Sequence, residues 1–354
     1  MSKFWSPLAA KLVPYVPGEQ PKDKKYIKLN TNENPYPPSP KVLEAIQAAV
    51  NEDLRLYPDP TCQQLIDTLA DYHKLSSKEV FVGNGSDEVL AFAFAAFFDP
   101  AKPVLFADIT YSFYKVYAEF YGLQADLVPL DEQFRIPLDE FMNRENGGIV
   151  IPNPNAPTAM LIPVDDLRPV LAHNQNQVVI IDEAYIDFGG ESAAALVREY
   201  PNLLVVQTLS KSRSLAGLRV GWALGSEELI DGLNRVKNSF NSYTIDRLAL
   251  AGAIAAMEDE SYFLETAAKV SATREATSAA LRELGFIVTD SKANFLFVSH
   301  PNVEAETLFL KLREQGVLVR YFKQLRIDRF LRVSIGTDDE MDAFLHAVKA
   351  IVQP

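Results

Sequence analysis

Cysteine is almost absent from this chain: Cys62 is the single one in 354 residues. An intrachain disulfide and a cysteine-rich zinc site are therefore excluded. The setting of Cys62, directly after Pro60-Thr61, reads as a buried or semi-buried helix start, although a nucleophilic role stays open. Histidine is scarce as well. Four scattered copies and no His-x-x-x-His pair argue against a metal enzyme. Basic residues are in the minority, 34 Lys and Arg against 47 Asp and Glu, for a formal net charge of -13. A nucleic-acid-binding surface needs basic patches that such a balance does not favour. No run approaches the ~18 consecutive apolar residues of a membrane span. The start, Met1 to Pro17, lacks the continuous apolar core of a signal peptide. The expectation is a cytoplasmic protein that binds neither nucleic acid nor membrane, with no internal repeats.

What is present is an ordinary globular composition, 48% hydrophobic and 23% charged, in a chain long enough for two domains. Residues 1 to 28 read as an N-terminal arm, with a short amphipathic stretch (Phe4 to Val13), prolines and a lysine cluster. Residues 29 to 245 read as a large domain and 246 to 354 as a smaller one. After the proline-locked loop Leu29 to Pro38, whose asparagines read as an elaborate turn, Lys41 to Val50 shows a helical stripe of Leu43, Ile46, Ala49 and Val50. Cys62 to Tyr72 reads as a second helix.

From Lys78 onward, short apolar runs alternate with helical segments, which is the pattern of a parallel sheet covered on both faces. Five of these runs end in unusual polar groups. Val80-Phe81-Val82 leads into Gly83-Asn84-Gly85-Ser86-Asp87, and Val104-Leu105-Phe106 leads to Tyr111. Ile149-Val150-Ile151 runs into Pro152-Asn153-Pro154-Asn155. Val178 to Ile181 ends at Asp182-Glu183-Ala184-Tyr185, and Leu203 to Val206 ends at Ser210-Lys211. In an alternating α/β chain these ends share one edge, where ligands bind. One further strand, Val220 to Leu224, follows. Past Gly285 come short strands (286–288, 295–298, 317–319, 331–335) and helices at Glu304 to Gln315 and Asp338 to Val352, which suggests a smaller α+β domain.

The chemistry of these groups points one way. A lysine amine condenses with an aldehyde, and an arginine fork such as that of Arg219 matches phosphate oxygens. Pyridoxal phosphate carries both groups. The glycine turn at Gly85, Ser86 and Asp87 opens a helix whose first amides favour an anion. Asp182 closes a wholly apolar run, an expensive place for an unpaired carboxylate, and suits a protonated ring nitrogen. Tyr185 can donate to a phenolic oxygen, and Tyr111 can stack on a ring. Arg332 inside an apolar strand and Arg320 after another are placed either to pair with the chain's own acids or to face an anionic substrate.

Ser210-Lys211 with Gly217-x-Arg219, Asp182-x-x-Tyr185, and Asn153 to Thr158 resemble the fold-type I pyridoxal-phosphate aminotransferases. Asn30-Thr31-Asn32-Glu33-Asn34-Pro35, Leu209-Ser210-Lys211 and Leu331 to Gly336 narrow the resemblance to the histidinol-phosphate aminotransferase family, from Tyr15 to the C-terminus. It implies an α/β PLP-transferase, with a large, mostly parallel sheet flanked by helices and a smaller α+β C-terminal domain. It implies pyridoxal 5'-phosphate as cofactor, and a homodimer with its site at the subunit boundary. Lys211 would form the Schiff base and carry the proton. Gly85, Ser86, Asp87, Ser210 and Arg219 would hold the phosphate, joined by Tyr57 from the neighbouring subunit. Tyr111, Asp182 and Tyr185 would take the roles given above, and Tyr15, Arg320 and Arg332 would hold the substrate's distal anion. The family's usual Asn before Pro-Thr is Ala156 here, so either Asn155 reaches the cofactor oxygen or Tyr185 serves it alone; Asn155 is the expectation. The implied substrates are histidinol phosphate and glutamate. A broad-range or aromatic aminotransferase and a decarboxylase of phosphorylated substrates remain alternatives on the same scaffold. From other classes, a nucleotide-binding protein and a non-catalytic interaction protein also remain, the first distinguished by lack of colour.

Overall fold

The structure is a computed structural model that describes residues 2–13 and 18–353. Its strands, in chain order, are β1 (Ile27–Lys28), β2 (Val80–Asn84), β3 (Val104–Ala107), β4 (Ala125–Val128), β5 (Gly148–Pro152) and β6 (Val179–Asp182). They continue with β7 (Leu203–Thr208), β8 (Val220–Gly225), β9 (Ile287–Val288), β10 (Phe295–Ser299), β11 (Val317–Leu318), β12 (Arg320–Tyr321) and β13 (Leu331–Ser334). Seven of them form one sheet in the order β2-β8-β7-β6-β5-β3-β4. The pairings from β7 across to β4 are parallel, whereas β8 runs antiparallel to both of its neighbours, β2 and β7. The sheet is therefore mostly parallel, as the alternating pattern implies, with one reversed strand that pattern alone does not orient.

Period-two alternation explains why the strands read as unbroken apolar runs. Val179 and Ile181 pack with Ile149, Ile151, Leu203 and Val205 in one buried cluster. The residues between them, Ile180, Val150, Leu204 and Val206, pack in a second cluster on the other face. Helices cover both sides, so no face of the central strands is left for polar residues. Each such side chain contributes roughly 1.5–3 kcal/mol on full burial.

The C-terminal part builds a four-stranded antiparallel sheet in the order β12-β13-β10-β9. Leu296, Val298, Leu331 and Val333 from its strands share a cluster with Leu281, Leu308 and Phe344 from the helices Glu260–Glu283, Ala305–Glu314 and Asp338–Val352.

Three details differ from the pattern-based expectation. The expected arm does not run uninterrupted to residue 28, because β1 pairs in parallel with β11. The Ile27 N–H donates to Gly316 O at 2.9 Å, the Leu29 N–H donates to Leu318 O at 2.8 Å, and Leu29 packs in the C-terminal cluster. In the helix Pro40–Ala49, N-capped by Ser39, Val42 is the buried residue while Leu43 is 47% exposed. Val42 and Ile46, four residues apart, make the packed face. β4 escaped notice because Ala125 to Val128 is short and half exposed, with no apolar run to mark it.

Cys62 caps the helix Gln63–His73 and is 3% exposed. Burial pushes its thiol up to about 11, so it carries almost no thiolate near neutral pH and is a poor nucleophile. Among the described residues no helix is long and apolar enough to cross a membrane. Among the same residues no group of three or more His, Cys, Asp or Glu is placed to hold a metal ion.

Candidate active site

The five apolar runs deliver their polar ends to one edge of the seven-stranded sheet. Because β8 is reversed, its N-terminal end lies on that edge too, and Arg219 immediately precedes it. The register fixes the neighbours: Asn84 faces Val220, and Thr208 faces Gly221. Ser86, Asp87, Tyr111, Asp182, Tyr185, Ser210, Lys211 and Arg219 line a single cavity there, with Pro152, Pro154 and Ala156 as apolar wall.

One end of the cavity is suited to an anion. The helix Gly85–Phe97 starts there, and Asn84 makes no side-chain capping bond to its first turn. First-turn amides without such a cap favour negative charge. Gly85 has φ +75°, and a Cβ on it would stand 2.6 Å from Nη2 of Arg219. Gly221 is as constrained, since its Cβ would meet the backbone N of Ser86 at 2.4 Å. Both glycines let backbone and guanidinium crowd around a space that a side chain would fill. Gly217, by contrast, faces nothing within 4 Å. Arg219 donates from Nη2 to Oδ2 of Asp87 at 2.7 Å, and Tyr111 donates its hydroxyl to Oδ1 at 2.8 Å. Burial, then the Asp87 charge, hold the Tyr111 phenol far above its ordinary range, so it stays a donor. The hydroxyls of Thr208 and Ser210 lie 2.9 Å apart beneath the turn.

The lining also holds a second carboxylate. Asp182, 6% exposed, closes β6. Burial pushes its carboxyl up to about 6, a rise opposed by hydrogen bonds from Tyr114 and the Ala184 amide and by the Lys211 charge. Tyr114 donates its hydroxyl to Oδ2 at 2.6 Å from a wholly buried ring. The next residue, Glu183, is turned away from the cavity. It accepts from Ser192 Oγ at 2.6 Å, the Ala193 N–H at 2.7 Å and Gln207 Nε2 at 2.7 Å, and burial pushes it up to about 7. Tyr114 was not singled out from sequence; it sits in the first turn of the helix Phe113–Tyr121, which starts just after Tyr111.

From the lysine a file of rings leads outward. Lys211 Nζ stands 5.9 Å from the centroid of the Tyr185 ring. Tyr185 meets Phe295 edge to face at 5.0 Å, and Arg332 lies 5.5 Å from the Phe295 ring. Arg332 and Arg320 sit 5.8 and 5.6 Å from the centroid of the Phe322 ring. Arg320 does not merely follow a strand; it is the first residue of β12 and is register partner of Arg332 on β13. Like charges directly opposed across strands destabilise a sheet, so this pair makes sense beside an anion.

The loop of alternating asparagines reaches into this site. Asn30 accepts at its carbonyl from Arg332 Nη2 at 2.9 Å. Asn32 donates from Nδ2 to the Tyr185 hydroxyl at 3.1 Å. Asn34 donates from Nδ2 to the carbonyls of Lys211 at 3.0 Å and Ser212 at 3.2 Å. Sequence reading took these as local turn formers; their bonds span more than 150 residues.

Of the expected site residues, Gly85, Arg320 and Arg332 are not part of the cavity lining, and neither are Asn155 and Tyr57. Asn155 is fully buried and donates from Nδ2 to Ile109 O and Thr158 Oγ1, both at 3.0 Å. It does not line the cavity, whereas Ala156 does. Tyr57 is 78% exposed, stacked on Tyr243 at 4.6 Å, and also absent from the lining. Tyr15 lies outside the described residues.

Known proteins match this arrangement closely. Residues 24–348 match the family described as aminotransferase class I and II. The histidinol-phosphate aminotransferase of Clostridium acetobutylicum is 62% identical over 352 residues, 99% of this chain and 100% of that protein. That of Clostridium beijerinckii is 58% identical over 352 residues, 99% of this chain and 98% of its own. Among solved structures, the histidinol-phosphate aminotransferase of Sinorhizobium meliloti in complex with pyridoxal-5'-phosphate shares the fold at a TM-score of 0.91. It is 24% identical and covers 100% of this chain and 98% of that one. On sequence over nearly its whole length, and on a fold that gathers an amine, a buried acid and an anion cup at one sheet edge, the chain belongs to the class I and II aminotransferases, within them to the histidinol-phosphate aminotransferase family.

Proposed function

We propose that this aminotransferase exchanges an amino group between histidinol phosphate and imidazole-acetol phosphate on one side and glutamate and 2-oxoglutarate on the other, in histidine biosynthesis. The cofactor is pyridoxal 5'-phosphate. When bound, it supplies an aldehyde that takes up amino groups and a ring that accepts electrons. The residues fit such a group. Gly85 and Gly221 leave the cradle that a Cβ would fill, and Asp182 is a buried acid whose charge calls for a cationic partner.

Each side chain then has a defined task. Ser210, Arg219 and the backbone at Gly85, Ser86 and Asp87 hold the phosphate, with Asp87 steadying the guanidinium through Nη2. Tyr111 would lie against the ring. Asp182, oriented by Tyr114, carries negative charge to the ring nitrogen. Tyr185 donates to the phenolic oxygen, unaided by Asn155, whose amide is spent on Ile109 and Thr158. Lys211 holds the aldehyde and moves the proton at the substrate's α-carbon, a positioned transfer typically worth ~10²–10⁴-fold. Arg320 and Arg332 grip the distal anion, a phosphate in one half-reaction and a carboxylate in the other, because a guanidinium fork binds either.

We also propose a homodimer. Val50, Leu54, Leu56 and Tyr57 are all exposed, and so is Tyr243, on which Tyr57 stacks. Apolar surface of this kind marks an interaction site, and Tyr57 would reach the partner's phosphate from it. We also propose that the boundary between the units lies near residue 258 rather than 245, because Ala249, Ala253, Ala256 and Met257 pack with Ile149 and Val179 of the large sheet, whereas Leu29, Leu281, Leu296 and Phe344 build a separate cluster.

The observation that carries the substrate reading is the opposed Arg320–Arg332 pair, reached from Lys211 through Tyr185 and Phe295. Steady-state kcat/KM with histidinol phosphate is expected to exceed that with phenylalanine. A preference for phenylalanine would make this a broad-range or aromatic enzyme, and release of carbon dioxide would make it a decarboxylase.

A further inference from the structure

A phenol oxygen near a cofactor has one proton to give, and what it does depends on what its other neighbours ask of it. In this site the other neighbour is Asn32, whose Nδ2 lies 3.1 Å from the Tyr185 oxygen. Which end of that amide faces the tyrosine is settled by Ser334. The Asn32 backbone N–H donates to Ser334 Oγ at 2.9 Å, and Ser334 Oγ lies 2.9 Å from Asn32 Oδ1. Ser334 has one hydroxyl proton and is 2% exposed. If the amide were turned, that proton would be buried without an acceptor while both neighbours donated to the same oxygen. Oδ1 therefore faces Ser334 and the NH₂ faces Tyr185.

The backbone around Asn32 is held for this purpose. Its φ is +56°, a left-handed conformation that asparagine tolerates better than most residues, and it is 1% exposed. Asn294 donates from Nδ2 to the Asn32 carbonyl at 2.9 Å. Amide, carbonyl and side chain of this one residue are thus all committed, two of them to the C-terminal sheet region and one to the site.

We infer that Asn32 is a positioning residue: by donating to the Tyr185 oxygen it occupies an acceptor direction and leaves the tyrosine's only proton pointing into the cavity, toward the cofactor's phenolic oxygen. This rests on the assignment of Tyr185 as the donor to that oxygen. Asn32 touches neither cofactor nor substrate; it sets which way Tyr185 can bond. Ser334, through the amide's orientation, ties that choice to β13, the strand that carries Arg332.

The test uses the cofactor-loaded protein and reads the pH midpoint of its visible absorbance. A hydrogen bond to the charged form of the phenolic oxygen favours that form, so losing the donor moves the midpoint up, by about one unit on typical shifts. Asn32→Gly keeps the left-handed backbone and adds no charge. It is expected to move the midpoint upward in the same sense as Tyr185→Phe, by a smaller amount, and to add little in a Tyr185→Phe background. Ser334→Ala, which frees the amide to turn without touching Tyr185, is expected to give a partial upward shift and serves if Asn32→Gly does not fold. An unchanged midpoint in both Asn32→Gly and Ser334→Ala, with Tyr185→Phe shifted, overturns the inference. So does a full additional shift in the double variant, because Asn32 would then act by another route. An unchanged midpoint in Tyr185→Phe itself brings down the assignment of Tyr185, and the inference with it.

Discussion

Replacing Asp182 by asparagine should change the sign of what this residue does for stability, depending on whether the cofactor is bound. In the cofactor-free protein burial raises the carboxyl from its ordinary 3.8 to about 6. The folded state therefore binds the proton more tightly than the unfolded chain does. The stability this confers is fully present below about pH 4 and is lost as pH rises through 6. The gap of roughly two units, at about 1.4 kcal/mol per unit, amounts to about 3 kcal/mol. Asp182→Asn has the same shape, keeps an oxygen for the Tyr114 hydroxyl, and does not titrate. Urea unfolding of the cofactor-free proteins at pH 4 and pH 7.5 should show the parent losing about 2 kcal/mol more than the variant across that interval, since part of the effect is already lost at pH 4. Glu183, raised to about 7 by burial, contributes in the same direction in both proteins and cancels in the comparison. With pyridoxal phosphate added at pH 7.5 the order reverses, because the acid then meets a cation and only the parent gains from it. Parallel pH dependences in the two cofactor-free proteins would refute the claim that Asp182 is strained by burial. A variant that binds the cofactor as tightly as the parent would refute its pairing with the ring nitrogen.

Two further outcomes are open to simple measurement. Gly85→Ala places a methyl group 2.6 Å from Arg219 Nη2 at φ +75°. The backbone cost is roughly 1–2 kcal/mol, and the displaced guanidinium should weaken cofactor affinity on the order of tenfold or more, read by titration with pyridoxal phosphate. Unchanged affinity would mean that the Gly85–Arg219 crowding is not part of the phosphate cup. Sedimentation equilibrium should give twice the chain mass; a monomer at micromolar concentration would leave Tyr57 without the neighbour it is proposed to serve.

Much of this site is legible in the sequence because its chemistry sits where apolar runs stop. Lys211, Asp182 and Tyr111 could be found that way, since a buried parallel strand leaves no polar residue except at its ends. Arg219 was found by its company with Lys211, but its place could not be derived, because nothing in Val220 to Leu224 tells which way a buried strand runs. Asn32 and Asn34 were misread for a different reason. An asparagine in a proline-rich loop has ready local partners, and only the tertiary pairing of β1 with β11 carries these two to Tyr185 and Lys211 instead. Asn155 failed in the opposite way: its neighbour in sequence faces the cavity, while its own amide is drawn to Ile109. Leu43 was placed on the wrong side because a helical stripe can be drawn one position off when Val42 and Leu43 are both apolar.

The reversed strand has a consequence for how such a protein can change. Lys211 and Arg219 both lie in the loop 209–219 that joins β7 to β8, beyond the Thr208–Gly221 end of a ladder that begins at Leu204–Gly225. Their separation is thus ruled by main-chain spacing and is indifferent to which side chains line the rest of the cavity. Arg320 and Arg332 belong to a different sheet. Substitutions on that second sheet can therefore alter Arg320 and Arg332 while the spacing between Lys211 and Arg219 is inherited unaltered.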